Sequence, residues 1–178
     1  MLQDSISKKI YIASDHAGFT LKRYLIENLE KHFSNNQPLI YSDLNSSSKK
    51  TLKNSQGIKT NKVNFEIIDL GCESEKISVD YPDFANKLCP NITGDSMGIL
   101  ICGSGIGISI SANRHKHIRA ALCFNKTTAK LARLHNNANV ICLGARLIKP
   151  RLALNICKTF FSQKFEGNRH IKRLEKLG

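Results

Sequence analysis

No apolar run in this chain approaches the roughly 18–20 residues that a membrane-crossing helix requires. Its N-terminus, MLQDSISKKIYIASD, places charges before a short strand-like run without a small-residue cleavage pattern, which argues against a signal peptide. The six cysteines (Cys72, Cys89, Cys102, Cys123, Cys142 and Cys157) never stand two to four residues apart. A zinc knuckle or a CxxC redox pair therefore has no support, and no metal site is expected. Cys102, Cys123 and Cys142 fall inside or at the end of apolar runs, where a free thiol behaves as a small hydrophobe. That usage fits a reducing compartment, and the cytoplasm is the expected location. Internal repeats are also lacking, as are the dinucleotide spacing G-x-G-x-x-G and a P-loop lysine.

Acidic residues are scarce. Fourteen Asp and Glu face 27 Lys and Arg, a formal charge of +13. The excess is uneven: residues 33–64 hold five lysines against one acid, and residues 146–178 hold nine Lys and Arg against two acids. A basic chain can serve nucleic acid, an anionic membrane or a phosphorylated small molecule. The lysines have no aromatic residues interleaved among them and form no recognised nucleic-acid motif, so neither nucleic acid nor membrane is the expected partner.

What is present is an alternation of short apolar, β-branched runs with helical stretches. With 178 residues, 41% of them hydrophobic, the chain suits one domain with a packed core. The runs predict strands over 9–14, 65–70, 97–102, 118–124 and 138–143, and helices near 17–32, 83–91, 105–114, 126–135, 150–163 and 168–177. Alternating strands and helices imply βαβ crossovers, hence a parallel sheet with helices on both faces. The near-continuous apolar character of the strands agrees, since parallel strands are buried on both faces. One stretch, at about 34–64, is rich in Ser, Asn and Lys and replaces a connection usually of about 2–6 residues. It reads as a mobile surface insert within the single domain 1–178.

Ligands of open α/β sheets bind at the carboxyl ends of the strands. After the first predicted strand comes Asp15-His16-Ala17-Gly18, and beyond the second come Asp69-Leu70-Gly71 and Asp80-Tyr81-Pro82. After the third comes Cys102-Gly103-Ser104-Gly105-Ile106-Gly107, and after the fifth Gly144-Ala145-Arg146. Three alternating glycines leading into a helix expose backbone N–H groups that suit a phosphate or oxyanion. The same pattern serves a nucleotide or a plain tight turn equally well. Cys102, one residue before the glycines, reads either as buried packing or as a candidate general base or nucleophile, where a helix dipole favours the thiolate. His135, at a predicted helix C-terminus, reads as a cap or as a general acid, and His16 carries the same ambiguity between core and site. Arg169 and Arg173, four apart, are expected on one helix face, either solvated or clamping a phosphate.

Together Asp15-His16-Ala17-Gly18, Asp80-Tyr81-Pro82, ILICGSGIGISISANR (99–114), LARLHNNANV (131–140), LGARLI (143–148) and FEGNRHIKR (165–173) resemble the type B ribose-5-phosphate isomerases. These belong to the ribose/galactose isomerase family, and the likeness spans the chain apart from its first residues and the insert. It implies a Rossmann-like three-layer α/β/α sandwich with a five-stranded parallel sheet. It also implies a homodimer, or a tetramer, whose active sites draw residues from both subunits, and interconversion of ribose 5-phosphate and ribulose 5-phosphate in the pentose phosphate pathway. The reaction would pass through a cis-enediolate without metal or organic cofactor. On this resemblance Cys102 is the base that moves a proton between C2 and C1. His135 is the proton donor in ring opening, with Ser104 nearby, and the backbone of Gly103, Ser104, Gly105, Ile106 and Gly107 holds the enediolate oxygens. Asp15, His16, Tyr81 and Asn136 are implied in sugar binding, as is Arg146 in ligand binding, with Arg169 and Arg173 on the phosphate. Some members carry a glutamate base later in the loop. Here that position is Ile108, so the chain falls with the cysteine branch.

Two alternatives stand beside this expectation. Within the fold, galactose 6-phosphate or allose 6-phosphate could replace the ribose ester. A non-catalytic partner subunit is disfavoured, because it could dispense with both Cys102 and His135.

Overall fold

The computed structural model describes residues 7–34 and 64–177; the expected insert lies outside them except at its two ends. Strands β1 (Ser7–Ser14), β2 (Asn64–Asp69), β3 (Met97–Cys102), β4 (Ala120–Leu122) and β5 (Val140–Gly144) form one sheet. Its order is β2-β1-β3-β5-β4, and every neighbouring pair is parallel. Between and after them run α1 (Phe19–Ser34), α2 (Tyr81–Leu88), α3 (Ile106–Ala112), α4 (Lys126–Asn136), α5 (Pro150–Phe161) and α6 (Ile171–Leu174).

Successive side chains of a strand point to opposite faces, and the apolar runs separate accordingly into two cores. Ile10, Ile12, Ile99, Ile101, Ile141 and Leu143 pack on one face under α1, α4 and α5, with Leu25, Ala129 and Phe160 fully buried there. Ala13, Leu100, Cys102, Val140 and Cys142 face the other way, against Ala85 and Leu88 of α2 and Ile108 of α3. This is the three-layer α/β/α sandwich, and it sets the Cys102 side chain toward α2 and α3.

Three elements differ from their predicted extents in ways that have a clear local cause. β4 shrinks from 118–124 to Ala120–Leu122 because it is an edge strand bonded only to β5. The N–H of Ile118 is already spent on His115, and that of Arg119 goes to the Asn139 side chain. α2 starts at Tyr81, since Pro82 suits a first helical turn, and gives way after Leu88 to a 3₁₀ turn, Cys89–Asn91, containing Pro90. The predicted 168–177 helix is two pieces, a 3₁₀ turn Asn168–His170 followed by α6. Gly167 and Asn168 hold left-handed φ of 67° and 50°, which a helix cannot pass through. The left-handed pair precedes both arginines and sets where the segment begins; Arg169 then falls in the 3₁₀ turn and Arg173 in α6.

Parallel strands gather all their carboxyl ends at one rim of the sheet. Helices that return the chain for another parallel strand necessarily end at the opposite rim. Thus Cys102 ends β3 at one rim, while α4 delivers His135 and Asn136 to the other. Their neighbour Asn139 there accepts from the N–H of Gly98, near the beginning of β3. At about 3.3 Å per strand residue, Gly98 and Cys102 are separated by about 13 Å.

Candidate active site

Chain direction in the sheet reverses between β1 and β3: α1 carries β1 outward to β2, while β3 leads through α3 toward β4 on the other side. Ligands of such sheets lie in the crevice at this switch point. Here it holds a cavity of about 340 Å³ lined by Asp15, His16, Tyr81, Cys102, Ser104 and Arg146, with Ala17, Gly103, Gly107 and Leu147.

Each wall has a local cause. The Asp15 N–H donates to the Ile101 carbonyl at 3.2 Å, which holds the end of β1 against β3. Its carboxylate accepts from the Gly18 N–H at 3.0 Å and so caps the turn that opens α1. His16 Nδ1 lies 3.2 Å from the Val79 nitrogen and 3.3 Å from its carbonyl oxygen, so the ring is held against the Val79 backbone in either tautomer. The loop carrying Val79 is tied down in turn: buried Lys22 donates to both Asp69 carboxylate oxygens at 2.8 and 2.7 Å and to the Cys72 carbonyl.

The glycine loop makes the floor. Gly105 caps α3 with φ 78°, and the backbone of Leu143 passes 2.9 Å from where its Cβ would stand. A side chain is excluded there on both counts. The Gly105 N–H donates to Cys102 Sγ at 3.1 Å, a bond that an anionic sulfur accepts more strongly than a thiol does. Ser104 Oγ accepts from the Ile106 N–H at 3.3 Å. Tyr81 lies over Gly107, where a Cβ would meet its ring at 2.6 Å. The Arg146 guanidinium covers Gly103, with Nη1 3.2 Å from the corresponding Cβ position. A thiol, backbone donors and a cation thus converge on one small crevice, a set able to move a proton beside a developing oxyanion.

All six cysteines are free and buried. Burial pushes the Cys89 and Cys123 thiols up to about 11 and raises those of Cys142 and Cys157 as well. These four are packing residues, whereas Cys102 alone of the six lines the crevice.

His135, Asn136, Arg169 and Arg173 do not line the crevice. His135 stacks on His170, ring centroids 4.4 Å apart and planes 11° apart. Glu166 Oε2 lies 3.8 Å from His135 Nε2 and 3.7 Å from His170 Nε2. Asn136 borders a larger cavity, about 600 Å³, with Arg114, His115, Arg119 and Leu174. That cavity is roomier and is lined by basic groups, Lys116 among them, whereas the smaller crevice is the one that brings a thiol and the glycine loop together. The sequence reading passed over His170 and Glu166. Their signal was available in FEGNRHIKR, where they stand four residues apart beside both arginines.

Residues 39–177 match the family described as Ribose/Galactose Isomerase. The chain is 33% identical over 172 residues to ribose-5-phosphate isomerase B of Escherichia coli (strain K12), spanning 96% of this chain and 94% of that protein. Among solved structures, ribose 5-phosphate isomerase B from Anaplasma phagocytophilum matches with a TM-score of 0.76 and 38% identity, over 99% of this chain and 100% of the other. The Thermotoga maritima ribose 5-phosphate isomerase matches with a TM-score of 0.74 and 40% identity, over 96% and 97%.

Proposed function

The chain belongs to the ribose/galactose isomerase family, and from that membership we propose that it is an aldose–ketose isomerase interconverting ribose 5-phosphate and ribulose 5-phosphate. The observation that carries the reading is Cys102 at the end of β3, its sulfur on the wall of the switch-point crevice beside the glycine loop. In the open-chain aldose, Cys102 takes the proton from C2 and returns it to C1. The cis-enediolate formed between these steps is stabilised by loop N–H groups and faced by Arg146. Asp15, His16 and Tyr81 hold the sugar, and Ser104 keeps the loop in register through Ile106.

Ring opening falls to His135, with Asn136 on the sugar and Arg169 and Arg173 on the phosphate. These residues belong to the rim opposite their own Cys102, so the site is completed by a second copy running antiparallel. Exposed apolar side chains support such a homodimer: Ile106 and Ile110 on one face of α3, with Leu122, Phe124 and Leu147 nearby in sequence to the rim elements. Cores on both faces of one sheet support reading 1–178 as a single domain that carries the insert. No helix among the described residues is long and apolar enough to cross a membrane; the six free thiols support a reducing, cytoplasmic setting, and the proposed reaction supports a place in the pentose phosphate pathway.

The test is conversion of ribose 5-phosphate to ribulose 5-phosphate in the presence of chelator, with allose 6-phosphate and galactose 6-phosphate assayed alongside. Turnover of the ribose ester at the highest kcat/KM is expected. Turnover of a hexose phosphate alone would reassign the substrate, and no turnover of any of them would remove the reading.

A further inference from the structure

The group His135, Glu166 and His170 places three ligand-type atoms within 4.8 Å of one another, yet its geometry is wrong for a metal. Imidazole lone pairs lie in the ring plane, and a bound ion sits about 2.0–2.1 Å from each nitrogen. Two rings stacked 4.4 Å apart and within 11° of parallel cannot both aim at one ion. The cations Arg169 and Arg173, close enough to act electrostatically on His170, would repel one as well. The same features suit a different task.

We propose that His170 is a positioning residue for His135: its buried ring forms a flat wall that fixes the plane of the proton donor. This rests on the reading of His135 as the ring-opening proton donor. His170 is 4% exposed, so it cannot turn away, whereas His135 is half-buried and sits in the last turn of α4. The Arg169 Nε–H donates to His170 Nε2 at 3.4 Å, which makes that nitrogen an acceptor and the ring neutral. Burial first, then the charges of His135, Arg169 and Arg173, lower the proton affinity of His170, against a smaller opposing pull from Glu166. A neutral wall leaves the Glu166 carboxylate to His135 when the latter carries its proton.

The experiment compares His170→Phe, which keeps a flat ring without a titrating nitrogen, with His170→Leu, which keeps volume without a plane. For His170→Leu we expect kcat on ribose 5-phosphate to fall about tenfold or more, as for a misplaced catalytic group, with KM within about twofold. His170→Phe should restore most of kcat. Equal and unimpaired kcat in both variants overturns the proposal. So does a raised KM with unchanged kcat, which would make His170 a support for the phosphate arginines alone. Equal loss in both variants also overturns it, because the bond to Arg169 rather than the stack would then matter. If His170→Leu does not fold, NMR of the wild-type His135 ring protons decides, with an upfield shift from stacking expected and unshifted resonances fatal. That readout needs no turnover, so a failed stack is distinguishable from a failed isomerase assignment.

Discussion

The two rims of the sheet are built from different materials. At the Cys102 rim the working parts are largely backbone: a left-handed glycine at Gly105, an N–H aimed at sulfur, and a tyrosine whose ring fills the space a Cβ on Gly107 would need. At the His135 rim they are long or titrating side chains: a stacked imidazole pair, a carboxylate between them, and Arg169 and Arg173 on short elements after a left-handed turn. Backbone donors are preorganised by the fold and cost little entropy to align, which suits charge that develops only in the transition state. Arginines reach and clamp a charge that is always present, the phosphate. On the proposed reading, the base and the oxyanion donors stand at one end of the sheet, and the ring-opening donor and the phosphate arginines at the other.

The sharpest way to break this comparison is to disable each rim. Cys102→Ala should lower kcat by about 10²–10⁴-fold, the range expected of a positioned base. Melting temperature should shift by only about 2–4 °C, because one buried sulfur is lost. His135→Ala should likewise be crippled. Mixing and refolding the two inactive variants should return about a quarter of wild-type activity, since half of random dimers are mixed and each regains one intact site. No recovery, with dimers present, would place both residues in one subunit's site and contradict the separation by rim.

Gly107→Ala comes next. The new Cβ would stand 2.6 Å from the Tyr81 ring, and Tyr81 is 38% exposed, so the ring should swing outward rather than the backbone give way. A drop of about tenfold in kcat/KM with little change in melting temperature is expected. Arg173→Ala should raise KM about tenfold while kcat stays within about twofold, as for uniform binding of a non-reacting phosphate.

The smallest effect concerns pH. His170 is held below its ordinary 6.5, chiefly by burial and then by the cations around it. The unfolded chain therefore takes up the proton first. Stability linked to this ring is fully present above about pH 6.5 and is lost as pH falls below it. Melting temperatures measured from pH 7.5 to 5 should show that decline, and His170→Phe should flatten it.

Much of the architecture was legible in the residues. β3 spans the predicted 97–102, and β1, β2 and β5 have C-terminal ends within a residue of the predicted ones and starts within two. Buried parallel strands need apolar residues on both faces, and that requirement is written locally. The Cys102–Gly107 loop was legible for a similar reason: a strand end, a thiol and glycines adjacent in sequence stay adjacent in space. β4 was overestimated because edge position is invisible to hydropathy. The helix at 168–177 was overestimated because its first turn, begun by the left-handed Gly167 and Asn168, is 3₁₀ and α6 stops at Leu174. Sequence alone thus determined the sheet, its layers and the candidate base, all consequences of interactions between near neighbours. Only the tertiary structure decided which rim each candidate occupies and that His135 lies against His170, 35 positions away in the sequence. Those contacts join elements whose meeting is set by packing around the shared sheet, and no local pattern of residues encodes them.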